Sequence, residues 1–188
     1  MFREVLTLSF VVVMSVSCLV TPEVAGAEFP PKVKVAGHEL TLNGIGARKK
    51  TLLQLYLAGL YLTENSSDPA AIIAADVPMA LRIEVTSGFV SQEKMVTALK
   101  EGFERQLGEE VHRLLGKQIY QFQLCFSDKI NKGDIFEIVY IPAKGTFVVK
   151  NGTVNGAIEG LGFKRALFGI WLSDKPVDQG LKHKMLGR

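Results

Sequence analysis

The order of the strand-like and helix-like segments constrains the fold of this 188-residue chain more than any other feature. Strand-like segments make up much of residues 33–62 and recur at residues 80–86, first with alternating apolar and polar residues and then as a long apolar run. Helical spacing dominates residues 91–122, strand-like segments return from residue 135, and helical segments follow from residue 161. Strands followed by helices, then by strands and helices again, predict an α+β domain with a mostly antiparallel sheet.

The first strands are predicted from a hairpin pattern and a long apolar run. Apolar and polar residues alternate on both sides of Gly37 within residues 33–42, which indicates a β-hairpin. The glycine-rich residues 44–48 are expected to form a joint, and residues 52–62 a long strand. Gly59 inside that strand predicts a bulge or a close approach of another group to the backbone.

Helix starts are predicted from capping residues. Asp68 and Pro69 are expected to open a short helix that runs through Ala75, because proline is favourable in a first helical turn. Ser91 is a candidate N-cap for a helix in which apolar residues recur every four positions. Further helical segments are predicted at residues 111–122, 161–171 and 175–186.

Turn sequences divide the later strands. The Asn-Lys-Gly-Asp sequence of residues 131–134 predicts a turn before a strand at Ile135–Ile141. Lys144-Gly145 and Asn151-Gly152 then separate two more short strands, and Asn-Gly is a preferred hairpin turn.

Composition and motifs argue against several classes of function. The formal net charge is +3 and the longest basic run is residues 48–50, which argues against a nucleic-acid surface. The three histidines, His38, His112 and His183, are not paired at metal-ligand spacing. No dinucleotide fingerprint or nucleophile elbow is present. We therefore expect no catalytic residues, no metal site and no cofactor.

The N-terminus is predicted to be a signal peptide that covers residues 1–27. Arg3 precedes an apolar run over residues 5–20, and residues 25–27 read Ala-Gly-Ala, the small-x-small pattern of a cleavage site. A membrane anchor is the competing interpretation, but the run is shorter than the roughly 20 residues that cross a bilayer. Lipidation at Cys18 is a third interpretation, which the serine three positions earlier disfavours.

Cleavage after Ala27 would leave a mature domain of residues 28–188 whose single cysteine is Cys125. One cysteine cannot form an internal disulfide, and its large apolar neighbours predict a buried, inert thiol. We expect a periplasmic or secreted protein with no integral membrane segment after cleavage. The oligomeric state stays open.

Arg48 and Tyr56 are the candidate ligand-binding residues. Arg48 precedes the long apolar strand, and Tyr56 shares one face of that strand with Ala58, Leu60 and Leu62. A guanidinium and a phenolic hydroxyl beside an apolar cleft would suit an amphipathic acid. A plain surface role for Arg48 is the alternative.

Two stretches carry a resemblance to a known family. The Gly-Ile-Gly-Ala-Arg sequence of residues 44–48 and the Tyr-Leu-Ala-Gly-Leu-Tyr-Leu sequence of residues 56–62 resemble the opening signature of the chalcone isomerase family. The Gly-Ile-Trp-Leu-Ser-Asp-Lys-Pro-Val sequence of residues 169–177 is similar to the closing segment of bacterial members. The resemblance covers roughly residues 32–187. It implies an open-faced sandwich, in which a large antiparallel sheet packs against a layer of helices with a ligand cleft between them.

The same resemblance implies binding rather than catalysis. The family's enzymes close a flavanone ring, and their conserved arginine matches Arg48, but Tyr56 stands where they have a threonine. Fatty-acid-binding relatives pair the arginine with a tyrosine. The enzymes' further tyrosine and asparagine have no counterpart near Phe89, and Arg82 stands where they have a lysine. The candidate cleft-lining residues are Ala58, Leu60, Arg82 and Phe89.

We therefore expect an exported, non-catalytic binder of a fatty acid or a similar apolar carboxylate. An isomerase or intramolecular lyase of the same family is the first alternative, and an envelope scaffold or interaction protein is the second. Nucleic acid is not an expected partner.

Overall fold

The computed structural model describes residues 29–188. The predicted signal peptide, with Cys18 and its cleavage site, lies outside the described residues. The strands are β1 (Lys32–Val35), β2 (His38–Lys50), β3 (Leu53–Leu62), β4 (Met79–Val85), β5 (Ile135–Ile141), β6 (Gly145–Lys150) and β7 (Thr153–Ile158). The helices are α1 (Pro69–Ala74), α2 (Gln92–Gln106), α3 (Glu109–Leu114), α4 (Gly116–Leu124), α5 (Leu161–Leu172) and α6 (Gln179–Met185).

The strands form one curled antiparallel sheet in the order β1-β2-β3-β4-β5-β6-β7. Each strand pairs with the next strand along the chain, and every one of these pairings is antiparallel. Helices pack against one face of the sheet. The predicted α+β fold, an open-faced sandwich in which a large antiparallel sheet packs against a layer of helices, is confirmed.

Each face of the sheet carries its own apolar core. On the helix side, alternate residues of β3 and β4 pack against α2, α4 and α5, and three buried rings, Phe103, Phe122 and Phe163, contact one another there. On the opposite face, Leu57 and Tyr61 pack with the first described residue, Phe29. The strand alternation therefore separates the side chains of β3 into two buried sets.

Residues 44–48 are not a joint, as the sequence suggested, but the centre of β2. Helix α6 packs directly on them: a Cβ added to Gly46 would lie 2.8 Å from the Cβ of Lys184, and one at Gly44 would collide with the Lys184 carbonyl oxygen. The glycines therefore permit close helix–strand packing rather than bending.

Gly59 also marks a close approach. An added Cβ would lie 2.6 Å from a ring carbon of Phe29. Gly59 pairs in regular register with Ile45 and Arg82, so there is no bulge at this position. Of the two predictions made for Gly59, the close approach is therefore the one that the structure contains.

Helix boundaries differ from the prediction at two places. The predicted segment at 111–122 is divided into α3 and α4 at Leu115. The last helix begins at Gln179 rather than at Lys175, because the Asp178 carboxylate accepts a hydrogen bond from the Leu181 amide and caps the helix there.

Cys125 and Lys164 are both buried in the helix layer. Cys125 is buried, as predicted; burial raises the pKa of its thiol, which lies 3.4 Å from the Gln121 carbonyl oxygen. Lys164 is fully buried, and its ammonium donates to the carbonyl oxygens of Ile72, Ile73 and Ala75 at the C-terminal end of α1. A lysine there satisfies carbonyl groups that the helix leaves unpaired.

Candidate ligand-binding cleft

A cleft of about 950 Å³ opens between the end of the β2–β3 hairpin, the first half of α2 and the C-terminal end of α5. Ile83, Met95, Leu99 and Ile170 are among the apolar side chains that line it. A concave, largely apolar cavity with few polar groups is typical of a small-molecule site. The polar groups therefore decide what the cleft can orient.

Arg48 and Tyr56 both line this cleft, and they are direct partners across the β2–β3 pair. Nη1 of Arg48 donates to the backbone oxygen of Lys49 at 2.6 Å and to Oδ2 of Asp178 at 3.2 Å. Within residues 29–188, no acceptor contacts its Nη2 or Nε. One edge of the guanidinium is therefore free to donate to a ligand.

The Tyr56 hydroxyl is buried at the floor of the site. It accepts a hydrogen bond from Nε1 of Trp171 at 3.1 Å. Burial raises the pKa of Tyr56 to about 12, although the bond from Trp171 and the charge of Arg48 act in the opposite direction. The hydroxyl is therefore protonated at neutral pH. No acceptor for its proton lies among the described residues, so it can donate to a ligand.

Asp178 is the counter-ion that sequence reasoning missed. Burial alone would raise the pKa of its carboxyl, but the amide groups of Leu181 and Lys49, together with Arg48, lower it below the usual range. Asp178 thus caps α6 and neutralises Arg48 while it stays ionised. An aspartate before a helical pattern is a recognisable N-cap signal, but nothing in the sequence pairs it with an arginine 130 positions away.

The structure brings three of the predicted site residues together. Arg48, Tyr56 and Phe89 line the cleft. Ala58 and Leu60 lie on the same sheet face as Tyr56, but they are fully buried in the core and do not line the cleft.

Arg82 does not face the cleft. Its neighbours Leu81 and Ile83 pack on the helix side, so the alternation of β4 directs Arg82 to the opposite face. There its Nη1 donates to Oε1 of Glu137 at 2.7 Å, and its guanidinium lies 6.0 Å from the centre of the Phe29 ring.

Trp171 lines the cleft, and sequence reasoning did not single it out for a role. It lies within the closing motif, and its indole N–H fixes the Tyr56 hydroxyl from a position 115 residues away. Its only sequence signal is that a buried indole N–H needs an acceptor.

Two other kinds of feature are absent from residues 29–188. That part of the chain contains no group of three or more His, Cys, Asp or Glu side chains arranged to hold a metal ion. None of its helices is long and apolar enough to cross a membrane.

Comparisons with known proteins identify the fold and the family of the chain. No curated protein matches the chain. The fold is similar to the crystal structure of a fatty-acid binding protein from Arabidopsis thaliana, with a TM-score of 0.68 and 18% sequence identity. That similarity covers 89% of this chain and 95% of the other, and at this identity it establishes the fold. A family model described as chalcone isomerase-like matches residues 21–187. The resemblance seen in the sequence is therefore confirmed, and the chain belongs to the chalcone isomerase-like family.

Proposed function

We propose that this protein binds a fatty acid or a similar apolar carboxylate in the cleft and does not catalyse a reaction on it. The observation that carries the proposal is the adjacent pair Arg48 and Tyr56, each with an unused donor, beside a largely apolar cavity. The similarity in fold to a fatty-acid binding protein supports it.

The head group needs both donors. A carboxylate that enters a cleft loses hydration, which is costly unless hydrogen bonds replace it. Nη2 and Nε of Arg48 form the edge that can donate two parallel bonds to a carboxylate, and the Tyr56 hydroxyl can donate a third. Asp178 already neutralises part of the Arg48 charge, so the site favours a ligand whose tail adds binding energy.

The tail supplies that energy. Burying a methylene group contributes about 0.8 kcal/mol, so affinity should rise with chain length until the cleft is filled. Met95, Leu99 and Ile170 offer the apolar surface for this contact. Phe89 stands where the resemblance places the enzymes' tyrosine, and residues 95–98 contain no asparagine, which favours binding over ring closure.

Calorimetric titration with saturated fatty acids of increasing length tests the proposal, with the fatty alcohol of equal length as the matched ligand. We expect affinity to increase with length and the acid to bind more tightly than the alcohol. Native mass spectrometry of the purified protein should show co-purifying lipid. Turnover of chalcones would favour the isomerase alternative, and absence of both binding and turnover would favour a scaffold.

We also propose that the protein is exported and cleaved after Ala27. The Ala-Gly-Ala sequence behind an apolar run supports this proposal. N-terminal sequencing of protein from the periplasmic fraction and the medium should give Glu28 as the first residue. A chain that begins at Met1, or a lipidated Cys18, would contradict it.

A further inference from the structure

The rim of the cleft exposes large apolar side chains to solvent. Leu52, at the tip of the β2–β3 hairpin, is 97% exposed, Phe89 is 66% exposed and Leu53 is 40% exposed. All three border the cleft opening. Exposed apolar residues that lie together and are rimmed by polar residues are typical of an interaction site.

Basic side chains accompany these residues. Lys49 and Lys50 precede the hairpin tip, and Lys94 on α2 lies beside Phe89 with its ammonium 5.9 Å from the ring centre. Two glutamates, Glu93 and Glu101, also border the cleft. Glu93 accepts a hydrogen bond from Ser91 at 2.7 Å and thus has a local partner.

Local backbone conformation and one hydrogen bond position the apolar residues. Thr51 adopts a left-handed conformation with φ of 58°, which turns the chain between β2 and β3 and places Leu52 at the tip. The Lys94 ammonium donates to the Phe89 carbonyl oxygen at 3.0 Å and ties the loop before α2 to the helix.

We propose that this rim is a docking surface for an anionic lipid bilayer, from which the cleft takes up its ligand or to which it delivers it. The mouth patch comprises Leu52, Leu53 and Phe89 with Lys49, Lys50 and Lys94. The apolar residues enter the boundary between head groups and acyl chains, and the lysines contact anionic head groups. The transfer role rests on the proposed function, whereas docking itself is tested separately.

A second exposed apolar cluster provides a comparison. Val111 and Leu114 on α3 and Tyr120 and Leu124 on α4 are also exposed. This cluster follows two glutamates at the start of α3 and does not border the cleft. Leu114 is 68% exposed, so it is a matched control for Leu52.

Vesicle sedimentation of the protein as recovered from expressing cells tests the proposal. The vesicles contain phosphatidylcholine alone or phosphatidylcholine with phosphatidylglycerol. Leu52→Asp should weaken binding to anionic vesicles by about tenfold or more, because a leucine leaves the apolar layer. Leu114→Asp adds the same charge and should leave binding unchanged. Replacing Lys49 with Gln should weaken binding about fivefold at low salt.

The outcomes separate docking from ligand binding. Calorimetry with a soluble short-chain fatty acid reports on the cleft alone. Absence of vesicle binding while the fatty acid binds would overturn docking and leave the proposed function intact. Docking would also be overturned if Leu114→Asp weakened vesicle binding as much as Leu52→Asp does. A dimer that depends on Leu52, found in place of vesicle binding, would overturn it as well. If vesicle binding depends on Leu52 but the protein does not bind the fatty acid, docking is supported and the proposed function of the cleft is overturned.

Discussion

Two arginine–carboxylate pairs lie on opposite faces of the sheet and differ in what else their partners contact. Arg82 and Glu137 are direct partners on β4 and β5, joined at 2.7 Å. Arg48 and Asp178 join β2 to the start of α6 at 3.2 Å, beside the cleft. Both carboxylates are mostly buried, with side chains 12% and 18% exposed.

The carboxylates differ in their other donors. Burial raises the pKa of Glu137, although Arg82 opposes this shift. Asp178 accepts from two backbone amides in addition to Arg48, and its pKa is lowered. Asp178 therefore depends less on its arginine than Glu137 does. A carboxylate held by backbone donors thus leaves its arginine available to a ligand, whereas a carboxylate whose one partner is the arginine gives that arginine a structural role.

Of the changes considered, removing Arg82 should have the largest effect, and that effect should be on stability. Arg82→Met leaves Glu137 buried without its partner and should lower the free energy of unfolding by about 3–5 kcal/mol. Urea denaturation measures this loss, and fatty-acid affinity should not change. Adding Glu137→Leu should restore most of the stability, because the unpaired charge is then absent. If the single variant is as stable as the wild type, the Arg82–Glu137 pair does not stabilise the fold.

Removing Arg48 should affect binding rather than folding. Arg48→Ala should weaken fatty-acid binding by roughly 2–5 kcal/mol, because the ligand carboxylate loses its cation. Calorimetry measures this change, and affinity for the fatty alcohol should hardly change. Lys49→Ala, one residue away, is the control and should bind the soluble fatty acid like the wild type. Equal losses for acid and alcohol would contradict a head-group role.

Removing the Tyr56 hydroxyl should have a smaller effect than removing Arg48. Tyr56→Phe should cost about 1.5–3 kcal/mol of fatty-acid affinity, because one charge-assisted hydrogen bond is lost while the ring still packs. The same titration measures it. Unchanged affinity in Tyr56→Phe would place the carboxylate elsewhere.

The same variant should also alter the pH dependence of stability. The pKa of Tyr56 rises from 10.0 to about 12 on folding, so the folded protein favours the protonated form. This contribution is complete below pH 10 and is lost as the pH rises through 12. Denaturation across this range should show a shallower decline for Tyr56→Phe than for the wild type.

Changing the counter-ion should produce the smallest effect. Asp178→Asn keeps an oxygen to cap α6 but removes the charge that competes with a ligand for Arg48. Fatty-acid affinity should rise by up to about 1 kcal/mol, the scale of a partly exposed ion pair. The ratio of acid to alcohol affinity is the readout. A lower ratio would mean that Asp178 orients Arg48 for the ligand rather than competing with it.

Much of the fold could be predicted because the sheet is built from sequence neighbours. β5 has the predicted bounds, and Asn151-Gly152 forms the turn between β6 and β7 with both residues at positive φ. Ser91 caps α2 as predicted. The error at residues 44–48 arose because a glycine that permits close packing looks like one that permits bending.

The candidate site was predictable only in part. Arg48 and Tyr56 followed from the strand pattern and from the resemblance, but their partners Asp178 and Trp171 lie far along the chain. Arg82 was a candidate for the cleft, yet its position on β4 directs it to the other face.

The sequence by itself determined the succession of strands and helices and the hairpins at Gly37 and at Asn151-Gly152, because turns and side-chain periodicity act over a few residues. The tertiary structure alone decided that Arg48 borders the cleft and that Arg82 forms an ion pair with Glu137 on the other face. Periodicity tells which side chains share a face, but only the packed helices decide which face carries the cleft. The Arg48–Asp178 contact likewise exists because α6 packs on the glycines of β2, which brings residues 130 positions apart together.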